Sequence, residues 1–390
     1  MKISPHGAFG LIMMAMALFF AAKPLSVFSA PNVIAWEVGT GFGIGKYGET
    51  NVPPDLTNAV AIAAGGFHNL ALKNNGTVVA WGRNIEGETN VPSGLSNVVA
   101  IAAGYYHSIA LKTDGTIIIW GANNFGQANI PGDLSNVVAI AGSFYDTVAL
   151  KADGTVLAWG GNNYGQTNVP VDLSNVVAVS AGFYDNMALK SDGTVVAWGG
   201  GPSSVTNVPS DLTNAVAINC STSISLEHSL ALRADGTVAS WGYTQASVPS
   251  TLSNVCSIAA GGVAYANPAV SRDLALRTDG SLVGWGTATN PPSSRSNIVA
   301  IACGETHELA LIGNSLPIQN SRIENFLLTK TNFSMQVPAQ SGHVFLLEFK
   351  NSLSDSNWMS SQLIAGVNGT ITLKDSFSTN NQRFYRVKRW

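Results

Sequence analysis

Residues 97–121 read NVVAIAAGYYHSIALKTDGTIIIWG, and residues 136–160 read NVVAIAGSFYDTVALKADGTVLAWG. The second stretch restates the first position for position, so one structural unit is written more than once. In the first copy VVAIAA (98–103) is a short continuous apolar run suited to a strand covered on both faces. SIAL (108–111) alternates into a second strand, TIIIW (116–120) supplies a third, and QANI (127–130) a weak fourth. Lys-x-Asp-Gly-Thr joins the second strand to the third, and Gly115 meets the positive φ that a tight hairpin requires.

The unit recurs. Tryptophans at 36, 81, 120, 159, 198, 241 and 285 are spaced by 45, 39, 39, 39, 43 and 44 residues, the period of propeller blades. Seven apolar runs begin near 60, 99, 138, 177, 216, 257 and 299, but the array is out of phase. The first tryptophan strand, VIAW (33–36), has no apolar run before it, and the last pair, VAIACG and HELAL, has no tryptophan strand after it. Each end supplies what the other lacks, which predicts a seven-bladed all-β propeller closed by its N-terminal strand.

Flanking segments read differently. Lys2 followed by the 12-residue apolar run Leu11 to Ala22 is too short to span a bilayer and reads as a signal peptide, cut after Ser29 or Ala30. The expected organisation is a signal peptide over 1–30, the propeller over 31–314, a linker over 315–321 and a small antiparallel β-sandwich over 322–390. The expected location is secreted, cell-surface or periplasmic. No later apolar stretch is long enough to cross a membrane, so no membrane span is expected.

The alternation of IAAG, His-Ser-Ile-Ala-Leu, Asp-Gly-Thr and a strand ending Trp-Gly resembles the regulator of chromosome condensation repeat family, in the plain form found in bacterial exported proteins. The eukaryotic namesake of that family exchanges nucleotide on a small GTPase in the nucleus, and the export signal argues against carrying this activity over. The phrase LEFKNSLSDSNW with RFYRV resembles a C-terminal module of bacterial exported proteins, where it implies display, attachment or a stabilising cap.

Charge narrows the partners. Residues 31–317 hold 10 Lys and Arg against 19 Asp and Glu, whereas 318–390 hold 8 against 4. An acidic propeller repels phosphate backbones, so nucleic acid is not an expected partner. The three cysteines read as thiols packed like small apolar residues, because Cys220 and Cys303 share one strand position in non-adjacent blades and Cys256 sits four residues earlier, about 13 Å along the strand and beyond disulfide reach. His68, His107, Asp146, Asp185, His228, Arg272 and His307 share one register and are spread around seven blades, so they cannot converge on a metal. They are expected to satisfy backbone groups at the turn after each inner strand. No nucleophile elbow and no phosphate-binding loop occurs, and neither an enzyme activity nor a cofactor is expected.

Loop differences point to one face. Loops between first and second strands, and between third and fourth, carry GTGFGIGKYG (39–48), the extra residues around Ser221 to Glu227, and GGVAYANPAVS (261–271). The same loops carry Phe67, Tyr105, Tyr106, Phe144, Tyr145, Phe183, Tyr184 and Tyr265, with Phe125 and Tyr164 from the third-to-fourth loops. Such a composition suits a recognition surface for a protein or a glycan, on a monomeric scaffold. Secreted propellers of the resembled family that inhibit β-lactamases bind through aromatic loop residues of one face, which implies the same kind of use here. The competing expectations are a structural envelope protein and a hydrolase or lyase with carboxylates at the channel mouth.

Overall fold

The computed structural model describes residues 32–37, 46–200, 204–223, 227–243, 247–263, 270–286, 291–292 and 297–313 of the repeat array. In the C-terminal part it describes 325–328, 332–339, 344–350, 359–365, 369–376 and 384–389. The signal-peptide reading lies outside these residues. Among them the regular structure is all strand apart from one short 3-10 turn, Ser204–Thr206.

Six consecutive antiparallel sheets follow the repeat, each with an inner, a middle and an outer strand. They are Ala59–Ala64, His68–Lys73 and Val78–Gly82; then Val98–Ala103, His107–Lys112 and Ile117–Gly121; then Val137–Gly142, Asp146–Lys151 and Val156–Gly160. Next come Val176–Ala181, Asp185–Lys190 and Val195–Gly199; Ala215–Cys220, His228–Arg233 and Val238–Gly242; and Val255–Val263, Val270–Arg277 and Leu282–Gly286. The seventh takes Ile298–Cys303 and His307–Ile312 from the end of the array and Val33–Glu37 from its beginning, with Val33 opposite Leu311 and Trp36 opposite Glu308. Inner strands of successive sheets touch, and that of the seventh lies beside those of both the sixth and the first.

The middle strands explain why the apolar runs are continuous. Leu70, Ala71 and Leu72 are fully buried, as are Ile109, Ala110 and Leu111, because neighbouring blades cover both faces. Every inner strand of blades one, two, four, five, six and seven, and that of blade three, slips register by one residue near its start, between Val98 and Ala100 in the second blade. In six of the seven blades this bulge follows an asparagine in the left-handed region, such as Asn97 at φ 58°.

The expected fourth strand does not form. Its place is taken by a tight turn in which Asn123 and Asn129 side chains bond at 2.9 Å and Gly126 takes φ 82°. Four tryptophans anchor the turns before them: Trp120 Nε1 donates to Glu88 O at 2.9 Å and Trp81 Nε1 to Glu49 O at 2.9 Å, with Trp198 on Gln166 O and Trp241 on Val205 O. A buried indole needs an acceptor, and the turn carbonyl before it is within reach.

The C-terminal strands form two three-stranded sheets sharing one core of Phe333, Met335, Val337, Phe345, Leu347, Ile371 and Leu373, which is a small sandwich. Leu346 and Leu363 leave that core and join the propeller cluster that contains Val138 and Val177. Together with Ala152, Asp153, Asn175 and Ser191 they border a cavity of about 270 Å³ on the hairpin side of blades three and four. The module therefore rests on the face opposite the aromatic loops.

Candidate functional site

Each blade carries a polar residue in one register at or near the start of its middle strand, and for six of the seven the next blade supplies a hydrogen-bond partner. His68 Nε2 bonds Ser108 Oγ at 2.9 Å, and His107 Nε2 bonds Thr147 Oγ1 at 3.1 Å. Asp146 Oδ2 accepts from Asn186 Nδ2 at 2.8 Å, and His228 Nε2 meets Asp273 Oδ1 at 2.6 Å. Arg272 Nη2 donates to Glu305 O at 3.0 Å, and His307 Nε2 meets Asn69 Oδ1, which joins the seventh blade to the first. Backbone satisfaction at the turn was the expectation; the side chains instead tie blade to blade. The second link continues inward, since Ser108 Oγ donates to Glu88 O at 2.7 Å and Thr147 Oγ1 to Gln127 O at 2.9 Å. With its proton committed to Glu88 O, Ser108 can only accept from His68, which fixes the Nε2–H tautomer there.

Local sequence follows this packing. A Cβ at Gly65 or Gly104 would fall within 3 Å of the His68 or His107 ring, so glycine stands beneath each of these histidines. In the third blade the shorter Asp146 leaves room, and Ser143 occupies the glycine position and donates to Asp146 Oδ1. Complete burial holds the histidines neutral: His68 and His307 fall from 6.5 to about 3, and His107 to about 4, with burial the leading cause. Burial also lifts the belt acids, Asp146 to about 6, Asp185 to about 7 and Glu308 to about 7, with the Glu227 charge adding to Asp185.

These opposite shifts set an expected pH profile. A histidine depressed in the fold contributes stability above 6.5 that is lost as pH falls through about 3 to 4. An acid raised in the fold contributes stability below 3.8 that is lost as pH rises through about 6 to 7. Between roughly pH 4 and 6.5 the three histidines and three acids oppose one another, so the melting temperature should be nearly flat there and fall below pH 4. Asp185→Asn removes one acid from the balance, and across the same window its stability should rise with pH by about 1.4 kcal/mol per unit. Thermal melts of both proteins from pH 3 to 8 check this; parallel curves would refute the titration of Asp185.

Above the belt lie the loops that carry the aromatic residues, and the structure sorts those into two layers. Tyr105, Phe144 and Phe183 share one register and converge over the mouth of the central channel: Tyr105 lies 4.9 Å from Phe144 and 6.2 Å from Phe183, two blades away. Tyr105 is 1% exposed and Phe183 2%, because rings from separate blades meet at the narrow axis, and Phe67, in the register of Tyr106, is 9% exposed between Tyr47 and Tyr105; these three are packing, not contact surface. Phe144 is half-buried in the same layer. Beneath it runs a channel of about 260 Å³ walled by all seven inner strands, with Cys220 and Cys303 among its lining. Burial raises both thiols, so they are protonated and unreactive.

The second layer faces outward. Phe125 (41% exposed) and Tyr164 (39%) are the most exposed rings of this cluster, with Tyr106, Tyr145 and Tyr184 half-buried beside them; Tyr243 in the fifth blade, at 59%, is more exposed still and was missed by the sequence reading. Phe125 meets Tyr145 edge-on at 4.7 Å, Tyr145 lies parallel to Tyr184 at 5.9 Å, and Tyr164 leans on Tyr184 at 4.1 Å. The Tyr184 hydroxyl bonds with those of Tyr145 and Tyr164, and both Tyr145 and Tyr184 are raised, chiefly by burial. Tyr265 lies outside the described residues. Sequence reading missed Tyr47, which packs on Phe67 at 5.7 Å, and Arg83, whose guanidinium covers the Tyr106 ring at 4.2 Å. The strands of the sixth blade run on past those of its neighbours, pairing Gly262 with Ser271 and Val263 with Val270, so part of that insertion is a raised hairpin.

Seven three-stranded blades around a channel, with one aromatic loop face, define a repeat β-propeller. The model of the regulator of chromosome condensation (RCC1) repeat matches residues 59–88, 98–127 and 137–166, so the first three blades carry RCC1-type repeats. Among solved structures it is similar to Prp20p of Saccharomyces cerevisiae, with TM-score 0.55 and 18% identity over 75% of this chain and 94% of that one. It is similar to the same yeast protein described bound to Kap60, with TM-score 0.54 and 19% identity over 81% of this chain and 97% of that one. The ectodomain of the Physcomitrella patens receptor kinase CR4 aligns with TM-score 0.53 and 16% identity, over 68% and 74% of the two chains. No curated protein matches the chain. No helix among the described residues is long and apolar enough to cross a membrane.

Proposed function

We propose that the chain is an exported scaffold that binds a protein partner through the aromatic loop face of its propeller. The observation that carries this reading is the outward strip of Phe125, Tyr145, Tyr184 and Tyr164, mounted on a buried floor of Tyr105, Phe144 and Phe183. Rings held by other rings lose little freedom on binding, which is what an interface anchor needs. The yeast propeller it resembles is described as binding Gsp1p and histones, and as bound by Kap60, which supports protein recognition by this fold. The apolar segment Leu11 to Ala22 supports export. Carboxylates near the channel, Asp146, Asp185 and Glu305, are at most 1% exposed and serve packing, which favours a scaffold over a hydrolase or lyase.

The test is capture of a partner from the native envelope by the full chain and by Phe125→Ala/Tyr164→Ala. Anchors of this kind contribute about 2 kcal/mol each, so the double variant should lose about a thousandfold in affinity while its melting temperature barely moves. Asp114→Asn/Asp235→Asn is the control on the hairpin face, since Asp153 borders the C-terminal module and is unsuitable. Loss of capture in the aspartate pair with retention in the ring pair would place binding on the other face.

A further inference from the structure

The blades can be compared with one another residue by residue, and the comparison separates the first rim tyrosine from the next two. Tyr106, Tyr145 and Tyr184 stand 39 residues apart in one register. Over Tyr106 the chain places its own cation: the Arg83 guanidinium lies 4.2 Å from the ring centroid and pairs with Glu88 on its other side, with Glu86 at 3.6 Å. The same arginine is 5.9 Å from Tyr47, which also has Lys46 at 5.4 Å. One repeat later the positions of Arg83, Glu86 and Glu88 are Ala122, Phe125 and Gln127, and two repeats later Gly161, Tyr164 and Gln166. Cation and carboxylates disappear as a set, and an aromatic ring takes the place of Glu86 in each.

Charge on that part of the face is one-sided. From 84 to 232 the sequence holds only three basic residues, Lys112, Lys151 and Lys190, and each ends a middle strand on the hairpin side beside Asp114, Asp153 or Asp192. The aromatic side of the same blades carries no Lys or Arg between 84 and 232, and the Glu227 carboxylate acts on Tyr184. Ring faces carry negative electrostatic potential, and in water-poor surroundings they attract guanidinium strongly. Resting on the assignment of the aromatic face as the binding site, we propose that the strip Phe125–Tyr145–Tyr184–Tyr164 receives an arginine-bearing segment of the partner protein, seated on the rings as Arg83 is seated on Tyr106.

The proposal is tested with the full chain and two probes, N-acetyl-Arg-Gly-Arg-amide and the same peptide with citrulline, which keeps the shape and loses the charge. Ring-proton shifts of the tyrosines report binding. The arginine peptide should bind about fivefold or more tightly than the citrulline peptide. Phe125→Ala/Tyr164→Ala should reduce it to the citrulline level. Ala122→Arg deletes no ring and copies the internal cation onto the next blade; it should also cost the arginine peptide about fivefold, by occupying its seat. Equal binding of the two peptides, or arginine binding that neither variant weakens, overturns the proposal. If partner capture depends on the rings while the arginine preference is absent, the face is right and the cationic anchor is wrong; if capture ignores the rings, both fall.

Discussion

Deleting residues 32–37 should lower the stability of the whole propeller by several kcal/mol, read as a drop in the denaturation midpoint of the full chain. The segment is short, but its contacts are not those of a tail. Val33 is 3% exposed and packs in one cluster with Leu56, Trp81, Leu309 and Leu311, drawn from the first and seventh blades. Burying such a side chain contributes about 1.5–3 kcal/mol, and Ile34, Ala35 and Trp36 add partial burial. Asn32 adds a buried clasp, donating to Ala59 O at 2.8 Å and accepting from Ala59 N at 3.0 Å. Loss of the strand also bares the edge of His307–Ile312, an apolar template for pairing with another molecule. The deleted protein should therefore aggregate on heating as well as melt earlier. An unchanged midpoint would mean that the seventh blade holds without its third strand.

A second large effect is expected at the one link where histidine and carboxylate meet. His228 and Asp273 side chains are both fully buried at 2.6 Å, and Asp273→Ala leaves the imidazole facing a cavity with its partner gone. Breaking a buried pair from one side costs about 3 kcal/mol or more, whereas the neutral link from His68 should cost only about 1 kcal/mol in Ser108→Ala. Asp273→Asn retains an oxygen at the same place and should recover at least half of the loss. Denaturant titration of the three variants ranks them; equal costs for Asp273→Ala and Ser108→Ala would show that the histidine–carboxylate link is no stronger than the histidine–hydroxyl ones.

The architecture could be read from the chain because its period is carried by residues with a structural duty. Tryptophan at the end of each outer strand and glycine in each Lys-x-Asp-Gly-Thr turn mark where strands stop. QANI misled because one apolar residue in a polar run resembles a weak strand, while the features that make it a turn, the Asn123–Asn129 bond and the positive φ of Gly126, join residues six apart or reside in the backbone. The inter-blade belt had a readable sign that was passed over: His68 and Ser108 are 40 residues apart, one period plus one. Adjacent aromatics such as Tyr105 and Tyr106 differ in fate because one points to the axis and its neighbour to the rim. Composition alone treats them alike, and only the convergence of rings from blades two positions apart separates floor from surface.

Pairing the first strand with the last middle strand also governs when the molecule can be finished. Asn32 and Ile312 are 280 residues apart, so the final clasp waits for nearly the entire array to be present. The entropic penalty for joining such distant points grows only with the logarithm of the separation, a modest thermodynamic burden. Timing is another matter, because contacts of high sequence separation form late and slowly. Six sheets can each zip from their own hairpins as the chain emerges, while Val33–Glu37 remains without its partner until residues near 312 arrive. Once that seam is made, unravelling has no loose strand from which to start, and the rate of opening, more than the balance of energies, would determine how long the protein lasts.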